Sequence, residues 1–177
     1  MADSRVVDTN VLIVASAADD GSPFRPDATP VQEFELRQRV LAWVQTFEED
    51  PERYAVLDWD WLIGREYQKN LTEQDYGWLA LMSKKDKNQV VWVGIEVDGD
   101  GYAILAPSLQ VAVGDCEDRK MVAAALAAQS QGETCKLTVA CDTDWIDCEN
   151  ALAGAGVPVE HLLEDWVRAK WQAKHRA

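Results

Sequence analysis

Histidine is scarce in this sequence, and cysteine does not occur in closely spaced pairs. The two histidines, His161 and His175, are too few for an imidazole-rich zinc site. The four cysteines lie in the last third of the chain without a C-x-x-C pair, so we expect small buried thiols rather than a disulfide framework or a thiolate metal site. Any metal bound by this chain would therefore have oxygen ligands.

Long apolar runs are also missing. No run approaches the roughly 18–20 residues that a bilayer-spanning helix needs, and the N-terminus lacks a basic stretch followed by a longer apolar one. We therefore expect a cytoplasmic protein without a membrane partner.

Cations are few: 17 lysines and arginines face 31 acids, which gives a formal net charge of −14. This balance argues against binding of nucleic acid, because phosphate contacts usually come from lysine and arginine. Two physical effects weaken the objection. Bound divalent ions reverse the field locally, and acids elsewhere can be ordinary solvated surface.

What is present indicates one globular domain over residues 1–177, because the apolar fraction is 47% and the charged fraction 27%. Strand-like and helix-like segments alternate, which predicts an α/β fold with a mainly parallel sheet covered on both faces. Strands are predicted near 5–8, 54–58, 136–140 and 157–159, and helices near 9–16, 31–49, 59–71, 72–82, 117–131, 145–153 and 161–174.

Two segments look like additions to this alternation. Residues 18–30 are rich in breakers and predict a surface loop, and residues 90–105 predict a β-hairpin or two short strands around an Asp-Gly-Asp-Gly turn. The same turn could begin a calcium loop, but the later bidentate Glu of such loops is missing. Trp43, Trp59 and Trp166 fall at spacings that favour core packing.

Four acids are expected at one edge of the sheet, where the carboxyl ends of parallel strands form sites. Asp8 directly follows Val6-Val7, and Asp142 follows the strand at 136–140, with Asp144 two residues later. Glu66 is in helical step with apolar residues, and Asp118 begins an alanine-rich helix. Burying several carboxylates together is costly unless a cation compensates them. All-oxygen ligation suits Mg²⁺ or Mn²⁺.

Each acid also has a purely structural interpretation. Asp8 and Asp118 could cap helices, Asp142 could belong to an Asp-rich turn, and Glu66 could pair at the surface with Arg65 or Lys69. The sequence leaves these alternatives open residue by residue. It also leaves open whether Asp115 or Asp118 is the third acid.

Four motifs resemble those of PIN domains, over nearly the whole chain. They are Val-Val-Asp8-Thr-Asn10-Val-Leu-Ile, Arg65-Glu66-Tyr67, Asp118-Arg-Lys-Met-Val-Ala-Ala-Ala-Leu and Cys141-Asp142-Thr-Asp144-Trp145. Ala140 departs from the family pattern, since many members carry Thr or Ser there.

The resemblance implies a three-layer α/β/α sandwich and an Mg²⁺- or Mn²⁺-dependent endonuclease, with RNA favoured over DNA as the substrate. The implied acidic site is Asp8, Glu66, Asp118 and Asp142, with Asp144 as a further metal ligand. Thr9 and Asn10 would support it, Asn10 by holding Asp8.

The biological role stays open between the toxin of a toxin–antitoxin pair, held silent by an inhibitor protein, and another role in RNA processing or defence. A homodimer is also compatible with the resemblance. A different class of function is a catalytically inactive PIN-like interaction module. A haloacid-dehalogenase-type phosphatase fits less well, because no second Asp stands two residues after Asp8. Lys84, Lys85 and Lys87 form the densest basic run, either as phosphate contacts or as a solvated helix end.

Overall fold

A computed structural model describes residues 1–23 and 25–176. Its centre is a five-stranded sheet in which every neighbouring pair is parallel and the strand order is β3-β2-β1-β4-β5. The strands are β1 (Asp3–Val7), β2 (Arg53–Asp58), β3 (Val90–Val93), β4 (Thr134–Val139) and β5 (Val159–His161).

Eight α-helices of the described residues connect and cover these strands. They are α1 (Thr9–Ala18), α2 (Phe34–Glu49), α3 (Leu62–Asn70), α4 (Tyr76–Asp86), α5 (Pro107–Ala112), α6 (Arg119–Ser130), α7 (Asp144–Gly154) and α8 (Glu164–Arg176). Helices α1, α2 and α4 pack together over one face of the sheet. Helix α6 covers the other face and contacts strands β1, β2, β3 and β4. The fold is therefore the three-layer α/β/α sandwich that the sequence predicted. None of the described helices combines the length and apolarity that crossing a bilayer requires.

The central strands are apolar on both faces because helices cover both. Val6 and Val7 of β1 and Leu137 and Val139 of β4 have at most 1% of their surface exposed. Such continuous burial is what a parallel sheet between two helical layers demands.

One element differs from its prediction. Residues 90–93 form the edge strand β3, paired in parallel with β2, so the predicted hairpin over 90–105 is wrong for this strand. Antiparallel pairing around the turn is limited to a single bridge between Val97 and Ala103. In the 18–30 loop, a short 3-10 turn spans Pro26–Ala28, and Phe24 lies outside the described residues, as does Ala177 at the end of the predicted domain.

Two further side chains differ from expectation. Lys84 is fully buried and donates to the backbone carbonyl oxygens of Asp50 and Arg53, each at 2.6 Å, so it contacts neither solvent nor substrate. Trp59 is 68% exposed and stacks on Trp92 with ring centroids 5.0 Å apart, so its assignment to the core was wrong.

The topology brings the predicted acids to one crevice. From β1 the chain first moves to β2 on one side and later returns to β4 on the other, so the carboxyl ends of β1 and β4 flank a topological switch point. The amide of Asp8 donates to the carbonyl oxygen of Thr138 at 2.9 Å, which fixes Asp8 against the end of β4. Asp142 leaves the sheet three residues after β4 ends.

Candidate metal centre

Asp8 is a buried carboxylate with an unsatisfied oxygen. Only 3% of the residue is exposed, and its Oδ2 has no hydrogen-bond partner among the described residues. Although Asp8 precedes α1, its side chain forms no capping hydrogen bond. Burial, together with the charges of Asp142, Asp118 and Glu66, raises the pKa of Asp8 to about 8. A buried carboxylate with an oxygen that no partner satisfies is a group that a cation would stabilise.

Three other acids lie close enough to share an ion. Asp118, Asp142 and Asp144 can each contribute a carboxylate oxygen, and these oxygens all lie within 4.8 Å of one another. Asp118 and Asp142 are half-buried and Asp144 is exposed. Asp118 forms no capping hydrogen bond with α6, so its carboxylate is not committed to the helix. Oxygen ligands of this kind suit Mg²⁺ or Mn²⁺.

Burial and crowding raise the pKa values of Asp118 and Asp142. Burial, together with repulsion from Asp142 and Asp115, raises the pKa of Asp118 to about 7. Burial also raises the pKa of Asp142, partly opposed by the Asp144 amide, which donates to Asp142 Oδ1 at 2.9 Å. The Asp-rich turn foreseen as an alternative is therefore present, but it engages only one oxygen of Asp142.

Glu66 belongs to the same neighbourhood but stands outside this set of three. Its Oε1 accepts a 2.7 Å hydrogen bond from the hydroxyl of buried Thr9, and its Oε2 lies 2.5 Å from the Lys120 ammonium. The second contact is an ion pair without hydrogen-bond alignment, since Oε2 otherwise has no partner in the described part of the chain. The surface pair with Arg65 or Lys69 is therefore not formed.

Lys120 is the site residue that sequence reasoning missed. Its side chain is 10% exposed, and its ammonium also lies 3.0 Å from Glu117 Oε2. Despite burial, the contacts with Glu66 and Glu117 raise the pKa of Lys120, so the protein holds a fixed positive charge beside the acids.

Two expected details turn out differently. Asn10 acts on Asp8 through its backbone rather than its side chain: the Asn10 amide favours the charged carboxylate and so opposes the rise in the pKa of Asp8, whereas no side-chain hydrogen bond joins the two residues in the described part of the chain. Asp115, the rival third acid, is exposed, and its Oδ1 accepts from the Glu117 amide at 2.9 Å, which caps the 3-10 turn Cys116–Asp118. The structure thus places Asp118, rather than Asp115, in the set of three.

Short hydrogen bonds hold α3 against the ends of β1 and β2 beside the site. Tyr67 Oη donates to the Val7 carbonyl oxygen, which locks α3 onto the end of β1. Asp58, at the end of β2, accepts from the amides of Leu62 and Ile63 at 2.8 and 2.9 Å. Asp58 is therefore a true helix cap, in contrast to Asp8 and Asp118.

Comparison of the chain with protein-family models, with characterised proteins and with solved structures found no significant match. What the centre can do must therefore be argued from its own geometry.

Proposed function

We propose that this chain is an endonuclease that uses Mg²⁺ or Mn²⁺ to hydrolyse phosphodiester bonds, with RNA as the preferred substrate. The observation that carries the proposal is the meeting of Asp118, Asp142 and Asp144 within 4.8 Å beside buried Asp8, whose Oδ2 has no partner among the described residues. The donor set fits a hard divalent cation, because all four residues offer carboxylate oxygens and the side chains of Asp8 and Asp118 do not cap α1 or α6.

In this proposal the acids of the site have different roles. Asp118, Asp142 and Asp144 would hold the ion, and buried Asp8 would supply a further carboxylate oxygen beside them. When bound, the ion supplies an acidified water as nucleophile and neutralises charge on the phosphate. Glu66, which accepts a hydrogen bond from Thr9 and pairs with Lys120, would act through its position and its negative charge.

The biological setting is a further part of the proposal. A ribonuclease of this kind would act in the cytoplasm, where the four free thiols fit a reducing compartment. It would be either a toxin silenced by an antitoxin-like protein or an enzyme of RNA processing or defence, as a monomer or a homodimer.

A non-catalytic interaction module is the second candidate, and one observation favours it. Two of the acids already have protein cations as partners, since Lys174 lies 3.3 Å from Asp144 and Lys120 lies 2.5 Å from Glu66. Both Lys174 and Asp144 are more than half exposed, so this pair is weak and an ion could displace it. The Lys120 pair is buried and more durable.

Cleavage of end-labelled oligonucleotides tests the proposal. Single-stranded RNA, structured RNA and DNA are incubated with EDTA, Mg²⁺ or Mn²⁺, and wild type is compared with Asp8→Asn and with the surface control Asp86→Asn. We expect ion-dependent cleavage that Asp8→Asn loses and Asp86→Asn keeps. Absence of cleavage under every ion would exclude the nuclease and favour the interaction module.

A further inference from the structure

A cavity of about 210 Å³ opens directly beside the acidic centre. It lies between α3, the turn at 98–103 and the 3-10 turn that leads into α6, and its wall includes Glu66 and Lys120. Pockets that enclose a drug-sized ligand usually measure roughly 300–1,000 Å³, so this one suits a smaller group.

Two cations at this cavity have no ion-pair partner. Arg65 and Lys69, one turn apart on α3, are exposed, and within residues 1–23 and 25–176 neither side chain forms an ion pair or hydrogen bond. Both side chains are therefore available to an external anion.

The charges of the cavity wall balance overall but are divided within it. Three cations face three acids, which are Arg65, Lys69, Lys120, Glu66, Asp100 and Glu117. Lys120 pairs with both glutamates, whereas Arg65 and Lys69 have no ion-pair partner among the described residues. The α3 side of the cavity therefore offers two adjacent cations to an anion.

Another part of the cavity wall is the turn at 98–103, which hydrogen bonds to Asp98 hold in place. Asp98 Oδ1 accepts from the amides of Asp100 and Tyr102 at 2.9 and 3.0 Å, and Gly101 has a φ of +87°, a conformation open to glycine. The turn thereby holds Tyr102 at the cavity. An aromatic ring beside a phosphate site gives a base a surface on which to stack.

We propose that this cavity binds a backbone phosphate of a single-stranded nucleic acid, next to the phosphate at the metal centre, through Arg65 and Lys69. The inference rests on the proposed function, whose substrate it positions. It replaces the run of Lys84, Lys85 and Lys87 as the source of phosphate contacts, since Lys84 is buried.

Binding is measured by fluorescence anisotropy with a labelled twelve-nucleotide RNA, and with DNA of the same sequence, in EDTA and in Ca²⁺. Arg65→Ala/Lys69→Ala removes both contacts, and Lys85→Ala/Lys87→Ala is the matched control with the same change of charge. Arg65→Lys/Lys69→Arg keeps both charges. Because none of the substituted residues is buried, circular dichroism should show unchanged folding.

We expect the cavity double variant to lower the slope of log affinity against log salt by about 1.4, because each single-strand phosphate contact contributes about 0.7. The dissociation constant should rise roughly tenfold at ~0.15 M salt by the same relation. The control and the charge-keeping variant should bind like wild type. Equal losses in the two alanine variants, or no loss in the cavity variant, would overturn the inference.

Cys116 provides an independent readout because it lines the cavity and is half-buried. The other three thiols are buried, and burial raises the pKa of Cys141 and Cys148 to about 12. A maleimide should therefore label Cys116 first, and saturating RNA should slow this labelling in wild type but not in the cavity double variant. Labelling that RNA leaves unchanged in wild type would count against the cavity.

These outcomes separate the two proposals. Oligonucleotide binding that depends on Arg65 and Lys69 without any cleavage would exclude the nuclease and still support the cavity. Cleavage that is indifferent to Arg65→Ala/Lys69→Ala would keep the nuclease and exclude the cavity. Wild-type protein that binds neither RNA nor DNA in either buffer would also overturn the inference.

Discussion

Tyr67 donates a 2.5 Å hydrogen bond from its hydroxyl to the carbonyl oxygen of Val7. The two residues are the immediate neighbours of Glu66 and Asp8 in the sequence, so one buried bond sets the relation between two of the acids. Burial and the nearby negative charges raise the pKa of Tyr67 well above its ordinary value, which keeps the hydroxyl protonated as a donor.

Tyr67→Phe should destabilise the fold. The ring still fills its fully buried place, but the bond to Val7 is lost, which we expect to lower the free energy of unfolding by about 1–3 kcal/mol. Urea denaturation measures the change. The control is Tyr76→Phe, whose hydroxyl donates to Glu48 in a half-buried position and should cost less. A larger loss in the control would contradict the structural role given to Tyr67.

Metal-free protein should lose stability as pH rises from about 4 to about 8. The pKa values of Asp8 and Asp118 are raised from 3.8 to about 8 and about 7, so the folded state keeps protons that the unfolded chain has released. Stability then decreases with pH across this window and levels off above it. Urea denaturation in EDTA at several pH values checks this.

The same series includes Asp8→Asn and the surface control Asp86→Asn. Asp8→Asn removes the titrating group, so the decrease in stability with pH should be smaller in this variant. In Asp86→Asn the decrease should match that of the wild type. Stability that rises with pH between 5 and 8, or a slope that Asp8→Asn does not alter, would show that Asp8 is not the buried neutral acid described.

Lys120→Met should cost stability because it leaves Glu66 and Glu117 without their cation. Removing one partner of a fully buried pair costs roughly 3–5 kcal/mol, and the partial exposure of the two glutamates reduces this to about 1–3 kcal/mol. Lys120→Arg keeps the charge and should lose less. Lys85→Met, which breaks an exposed pair with Asp86, should change the free energy of unfolding by no more than about 1 kcal/mol.

Asp118→Asn and Asp115→Asn form a matched pair of variants on the same short segment. If Asp118 holds the ion, its replacement should lower ion-dependent cleavage by at least about 100-fold, since even residues that only support ligands cost 10–100-fold. Asp115 caps the 3-10 turn and should affect cleavage only a few-fold. The opposite ranking of the two rates would make Asp115 the third acid.

Two of the site residues that the sequence predicted share one feature: each is an aspartate that follows a buried strand closely in the sequence. Asp8 follows two buried valines, and Asp142 follows β4, so their position at the carboxyl edge needed only the alternation of strands and helices. The three-layer fold followed from the same alternation.

The parts that were missed depend on contacts between distant elements. Four apolar residues at 90–93 do not reveal their partner, and the nearby Asp-Gly turn favoured a local hairpin over the parallel pair with β2. The helical periodicity of α6 also does not reveal that Glu66 of α3 lies beside Lys120. A signal did exist, because Lys120 is in helical step with buried Ala124 and Ala128, which marks a cation on the inward stripe of α6.

Mn²⁺ binding to the metal-free protein is the most direct measurement, because it tests the acidic centre without requiring a substrate. Isothermal titration calorimetry would compare wild type, Asp118→Asn/Asp142→Asn and the surface control Asp86→Asn at pH 8. The account predicts saturable binding in wild type and the control, and its loss in the double variant. No binding in wild type, or equal binding in the double variant, would contradict the metal centre and leave the interaction module as the better description.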